Sequence, residues 1–257
     1  MARERYLINA GEDTIHSNEI KLVTAKDKRE NWWYYHKRQI IPAILVVALL
    51  AVFIHSMATK VDPDYTIGLL TSFTMPETGV QQLEECIAAY ADDRNGDGKV
   101  VIRVSNYVMS DDASADPSAQ EAAWVRFTAD ASLNATMIYL HDSTAFSVLE
   151  GDFAGFFQYK DGTLMPEDAT DYENAMYSWD DIAAFANLQP VGSEDGMYTP
   201  EMISELFSRL RVSVRAAEGS SIEKKEKDMD YYNDSMALFE RMKNDEPITG
   251  DTTAEEG

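Results

Sequence analysis

Ile40 to Met57 reads IIPAILVVALLAVFIHSM, and no Asp, Glu, Lys or Arg occurs from Gln39 to Thr59. As a helix this run spans about 27 Å at about 1.5 Å per residue, close to the hydrocarbon thickness of a bilayer. A stretch so long and so uniform predicts a transmembrane helix over 39–59. Pro42 is expected in its first turn, where a missing N–H costs little. Trp32, Trp33, Tyr34 and Tyr35 stand just before the run, followed by His36, Lys37 and Arg38. Amphipathic rings and cations at one edge suit a cytoplasmic membrane interface.

Charge assigns the two sides. Residues 1–38 carry eight basic and six acidic residues, whereas Lys60 to Gly257 carries 14 basic and 39 acidic, a net of −25. The positive-inside bias then predicts a cytoplasmic tail over 1–38 and an outer region over 60–257. A cleaved signal peptide is the rival reading, because Ser56-Met57-Ala58 has the form of a cleavage site. Its n-region would be about 38 residues, while whole signals run to about 15–30, so an uncleaved anchor is expected.

The chain as a whole carries −23, which would repel phosphates and argues against nucleic acid as a partner. Apolar residues make up 45% and aromatics 11%, enough for a packed core rather than a disordered chain. Cys86 is the sole cysteine, so an internal disulfide framework and a Cys-only zinc site are excluded. His141 is the one histidine beyond the membrane segment, which excludes a multi-His centre. No metal and no cofactor is expected.

The outer region reads as alternating strands and helices. Tyr65 to Phe73 predicts a strand apolar on both faces, Val100 to Val104 a second and Thr136 to His141 a third. Between them, Thr78 to Ala91 predicts a helix with Val80, Leu83, Ile87 and Tyr90 on one stripe. Ser118 to Ser132 predicts another, with Ala122, Val125 and Ala129 facing inward, and Ser143 to Leu149 a further one. This order describes an α/β lobe with helices on both faces of a parallel sheet. Farther on, Ser178 and Asp181 form a capping pair before Phe185, and Thr199-Pro200-Glu201 opens a helix. Ser221 is expected to start a last helix, and 246–257 a flexible polar tail.

The runs YTIGLLTSF, YADDRNGDGKVVIRV and TMIYLHDSTAFSVL followed by GDFAGFFQY resemble extracellular solute-binding proteins of Gram-positive bacteria, which feed sugar or peptide importers. The stretch FSRLRVSVRAAEGSSIEKKEKDMDYYNDSMALFERM resembles their membrane-anchored relatives. The resemblance covers most of 65–242. It implies a solute-binding-like α/β domain over 60–245, here with room for about one lobe where the family has two. An importer or another membrane protein is the implied partner.

Three motifs bear on chemistry. Asp93-x-Asn95-x-Asp97-Gly98 matches the first half of a calcium loop, but the twelfth position is Val104 rather than Glu. A tight helix-to-strand turn is therefore expected. Ser221-x-x-Lys224 matches the nucleophile motif of penicillin-binding enzymes, yet no K-T-G partner occurs, and Ser221 reads as a helix cap. His141-Asp142-Ser143 closes the third strand. Ligands of open α/β sheets bind outside the carboxyl ends of strands, an edge that would collect Ser72, Thr74, Tyr107, His141, Asp142 and Ser143. Hydroxyls, an imidazole, a carboxylate and an aromatic face suit a polar, uncharged or cationic small molecule. No nucleophile, base and orienting group recur together, so the expectation is a non-enzymatic, membrane-anchored binding or interaction module. A single-span signalling protein read out through the tail is the alternative.

Overall fold

The apolar run does not begin its own helix. In the computed structural model, which describes residues 24–58, 62–110, 116–149, 155–166 and 168–248, α1 spans Ala25–Ala58. Its 34 residues measure about 51 Å at about 1.5 Å per residue. The start is set by reciprocal bonds between Thr24 and Asp27: the Thr24 N–H donates to Asp27 Oδ2 and the Asp27 N–H to Thr24 Oγ1, both at 3.1 Å. That is a capping box placed well before the apolar segment. Pro42 consequently lies inside the helix rather than in its first turn, where it leaves the carbonyl four residues earlier without its helical donor. Among the described residues, α1 is the helix long and apolar enough to cross a membrane. Residues 1–23, 59–61, 111–115, 150–154 (which include the start of the GDFAGFFQY run), 167 and 249–257 lie outside the described residues.

The chain divides into two units, Met1–Lys60 and Val61–Gly257. The second is built on five strands, β1 Tyr65–Thr71, β2 Ile102–Val108, β3 Ile138–His141, β4 Tyr177–Ser178 and β5 Arg211–Val214, in the spatial order β2-β1-β3-β5-β4. β2, β1 and β3 are parallel, as read from the sequence, with Ile67 opposite both Val104 and Ile138. The sheet is nevertheless mixed, because β5 runs antiparallel to β3 and to β4. The preceding helix, α6 (Pro200–Ser208), delivers the chain at the carboxyl end of β3, with Arg211 opposite His141. From there the strand can only run back along its neighbour. β5 itself has four residues, one of them Ser213, too short and too polar to announce itself by periodicity.

Helices cover both faces. On one face Ile67, Leu69, Ile138, Leu140 and Val212 pack against Leu83 and Ile87 of α2 (Glu77–Ala88), Phe185 of α5 (Ala183–Ala186), Ile203 and Phe207 of α6, and Leu238 and Met242 of α7 (Glu226–Asn244). On the other, Leu70, Tyr107 and Tyr139 pack against Phe127 of α3 (Pro117–Ser132), Ala145 and Phe146 of α4 (Ser143–Leu149), and Phe157. Two caps read from the sequence are present: Thr199 Oγ1 accepts the Met202 N–H, and the Ser178 N–H donates to Asp181 Oδ2 at 2.8 Å. The latter pair closes only a 3-10 turn over Trp179–Asp181 before the short α5.

Two helices differ from expectation. α3 buries Phe127 and half-buries Ala123 and Trp124, while Val125 is 60% exposed. The bulky aromatic face outweighs the stripe of small residues, because it removes far more apolar area from water. α7 starts at Glu226 with Lys225 as its N-terminal boundary, not at Ser221. Ile222 is fully buried, and inserting that side chain holds 217–225 in a loop.

One close approach fixes a residue type. A Cβ on Gly68 would lie 2.4 Å from Cδ1 of Tyr139, whose ring crosses β1 at that point. Gly68→Ala is expected to cost about 2 kcal/mol of stability through overpacking, measured by denaturant unfolding. A variant as stable as the parent would show that the Tyr139 ring moves freely.

Candidate functional site

β1 and β3 end side by side, and a buried carboxylate ties them together. Asp142, next after β3, is 2% exposed. Its Oδ2 accepts the Ser72 N–H at 3.0 Å and the Ser72 hydroxyl at 2.6 Å, and its Oδ1 accepts the Ala145 N–H at 2.6 Å. Asp142 is therefore the cap of α4 and, through Ser72, the tie between two strand ends. The Arg209 guanidinium stands 3.9 Å from the same Oδ2.

His141 lies just beneath, with no exposed surface. Its Nε2 is 2.9 Å from Ser213 Oγ, and that hydroxyl donates to the Ala175 carbonyl at 2.9 Å. Ser213 has one proton and spends it on Ala175, so the network assigns the Nε2–H tautomer to His141. Nδ1 is left as a buried acceptor with no hydrogen-bond partner. Burial pushes the imidazole down to about 4, so the ring is neutral at pH 7. In a nucleophile–base pair the hydroxyl would donate to the ring; here the ring donates to the hydroxyl, an arrangement suited to holding position rather than activating Ser213.

Above them opens a cleft of about 900 Å³, lined by His141 and Ser143 with Phe146, Lys160, Asp171, Glu173, Asn174 and Arg211 among its other walls. Lys160 and Arg211 balance Asp171 and Glu173, so the cleft is locally neutral in a unit of net charge −25. Hydrogen bonds from Tyr159 and Asn174 hold the Asp171 carboxyl below its usual range. Arg211 donates to the Leu210 carbonyl at 3.0 Å. The cleft offers fixed donors, acceptors and the Phe146 and Tyr172 rings, a set that can orient a small polar molecule.

The residues expected at this edge are only partly brought together. His141 and Ser143 line the cleft, and Ser72 and Asp142 support it from below. Thr74 lines a separate groove at the start of α2, with Gln82 and Tyr198. Tyr107 offers no aromatic face to this edge: it is buried beneath α3, with its hydroxyl donating to Asp130 at 2.5 Å. Burial first, and Asp130 second, raise that phenol far above its ordinary range. Strand register explains the difference, since Tyr107 pairs with Leu70 and shares the inner face. The wall over 170–176 carried no signal in the sequence, because a loop and a 3-10 turn over Tyr172–Ala175 have no periodicity to read. Arg211 could have been noticed only by recognising β5.

The remaining motifs resolve as structure. Asp93 accepts the N–H groups of Gly96, Asp97 and Gly98, and Asn95 and Asp97 each accept from two residues on, the tight turn expected between α2 and β2. Gly96 and Gly98 take φ of 73° and 83°, which a side chain would strain. Among the described residues no group of three or more His, Cys, Asp or Glu is placed to hold a metal. Ser221 is not a cap; its hydroxyl bonds Asn134 Oδ1 at 3.0 Å, and Lys224 is exposed. The Cys86 thiol bonds the Ala184 carbonyl at 3.5 Å, and burial pushes it up to about 11. In comparisons with known proteins, no family model, no curated sequence and no solved structure matches this chain.

Proposed function

We propose that the chain is a membrane-anchored, extracytoplasmic binding module, non-catalytic, whose acidic α/β unit holds a small polar molecule at the carboxyl end of β3, in the manner of one lobe of a solute-binding protein. The observation that carries this reading is the locally neutral cleft over His141, Ser143 and Arg211 in an otherwise strongly acidic unit. An importer or another membrane protein is the partner this reading calls for. The apolar part of α1 serves as the anchor, with residues 1–38 on the cytoplasmic side.

The test uses the full chain in detergent. A thermal-shift screen of sugars, short peptides and amines is expected to give a ligand whose stabilisation falls in both Ser143→Ala and Arg211→Gln. A ligand whose shift survives both changes binds elsewhere and removes the cleft from the reading. A reporter fused after Gly257 is expected outside the cytoplasm; a cytoplasmic reporter overturns the topology.

A second reading has its own support. α1 continues as unbroken helix from Ile40 back to Ala25, so the segment before the apolar run is ordered. A single-span signalling protein would use such a continuous rod to carry a change across the membrane, and capture of a defined regulator by the tail would favour it.

A further inference from the structure

Arg215, just beyond β5, differs from three other arginines of this unit. Arg94, Arg209 and Arg241 each stand within 4.0 Å of an Asp carboxylate and keep part of their surface in water. Arg215 is 6% exposed, and among the described residues no carboxylate lies within ion-pair distance of it. Its Nη1 donates to the Ala131 carbonyl at 2.7 Å, and its guanidinium sits 4.8 Å from the Phe156 ring centre. The first contact satisfies the carboxyl end of α3. It uses one of five N–H donors, and the others are not among the buried side-chain atoms left without a partner, so they keep access to open space. Asp228 acts on this cation only from beyond ion-pair distance, so its open donors can still take an anion at close range.

The same guanidinium lines a cleft of about 390 Å³ under the C-terminal half of α3, at the opposite end of β3 from His141: the Arg215 N–H bonds Met137 just before that strand. Trp124, Phe127 and Phe156 supply its apolar walls, and the backbone of α3 supplies Ala131. The Trp124 and Phe156 rings each lie within 6.2 Å of Phe127, so the walls form one continuous aromatic surface. Nearby, the Tyr139 hydroxyl is buried without a partner, and that ring packs on Phe156 at 5.6 Å.

We propose that this cleft is a binding site for a small organic carboxylate with an aromatic or apolar body, the carboxylate on Arg215 and the body against Trp124 and Phe156. A planar guanidinium suits a carboxylate, with which it makes paired hydrogen bonds. The volume suits a ligand at the small end of the usual range. The net charge of −25 disfavours a multiply charged anion, which leaves a monoanion whose apolar part contributes the rest.

The probes are phenylacetate, its neutral analogue phenylacetamide, and inorganic phosphate, each titrated calorimetrically into the full chain in detergent at pH 7. Phenylacetate is expected to bind about tenfold tighter than phenylacetamide, with no heat from phosphate, since the charged group alone differs between the first two. Arg215→Gln is expected to bring the two aromatic probes to parity. Trp124→Ala, a half-exposed position that leaves Arg215 in place, is expected to weaken phenylacetate at least about threefold. Equal binding of acid and amide by the parent chain, a difference that persists in Arg215→Gln, or phenylacetate binding untouched by Trp124→Ala would each overturn the proposal. Should Arg215→Gln fail to fold, the parent chain and Trp124→Ala decide.

Discussion

Asp142→Ala is expected to remove about 4 kcal/mol of stability. The loss of the α4 cap accounts for about 1 kcal/mol of this. The two Ser72 donors, left facing a cavity where the carboxylate stood, account for about 3 kcal/mol more, because bonds to an ionised acceptor are the strong ones and buried donors without partners are costly. Ser72 is the point where β1 leaves the sheet, so the change loosens the joint between two strands as well as a helix end. Asp142→Asn retains one carbonyl oxygen but sets an NH₂ group against a donor, and should fall between the two at about 2 kcal/mol. Denaturant midpoints at pH 7 measure both. An alanine variant within about 1 kcal/mol of the parent would show that water replaces the carboxylate and that the strand ends need no tie.

The second expected effect is acid sensitivity centred on His141. Burial holds this imidazole at about 4 in the folded chain against 6.5 when unfolded. Asp142 raises it and Arg211 lowers it, but both are secondary to desolvation. Between these two values the unfolded chain binds a proton that the folded chain refuses. Stability is therefore complete above about pH 6.5 and lost as pH falls toward 4, by about 3 kcal/mol in all. Carboxylates titrate in the same window, so the measurement is a difference. The stability gap between the parent and His141→Gln at pH 7 is expected to shift by about 3 kcal/mol in favour of the variant by pH 4. Parallel decline of the two would mean that the ring reaches solvent.

What could be read directly from the chain were the features that local pattern determines. The apolar run of Ile40 to Met57, the three strands around Ile67, Val104 and Leu140, the caps at Thr199 and Ser178, and the turn at Asp93 each rest on residues close together in sequence. Periodicity and turn chemistry act over that same range. Long-range packing decided the rest, with the start of α1 as the exception. Thr24 and Asp27 moved the start of α1 upstream, a local signal that the hydrophobicity of the later segment obscured.

Tertiary contacts alone chose which face of α3 turns inward, because the competition between Phe127 and the stripe through Val125 depends on the aromatic layer of Tyr107, Tyr139 and Phe156 waiting beneath. They also placed β5 antiparallel at the carboxyl end of β3, which brings Arg211 to His141 and Ser213 to the imidazole. The two clefts arise in the same way. Each joins side chains from segments far apart in the chain, Lys160 with Arg211 in one and Trp124 with Arg215 in the other, and no spacing in a linear sequence encodes such a meeting. The chain by itself determined that there would be an apolar helix and an acidic α/β unit. Only the tertiary structure decided which polar groups were left buried, because burial depends on every element that packs around a group rather than on the residues beside it.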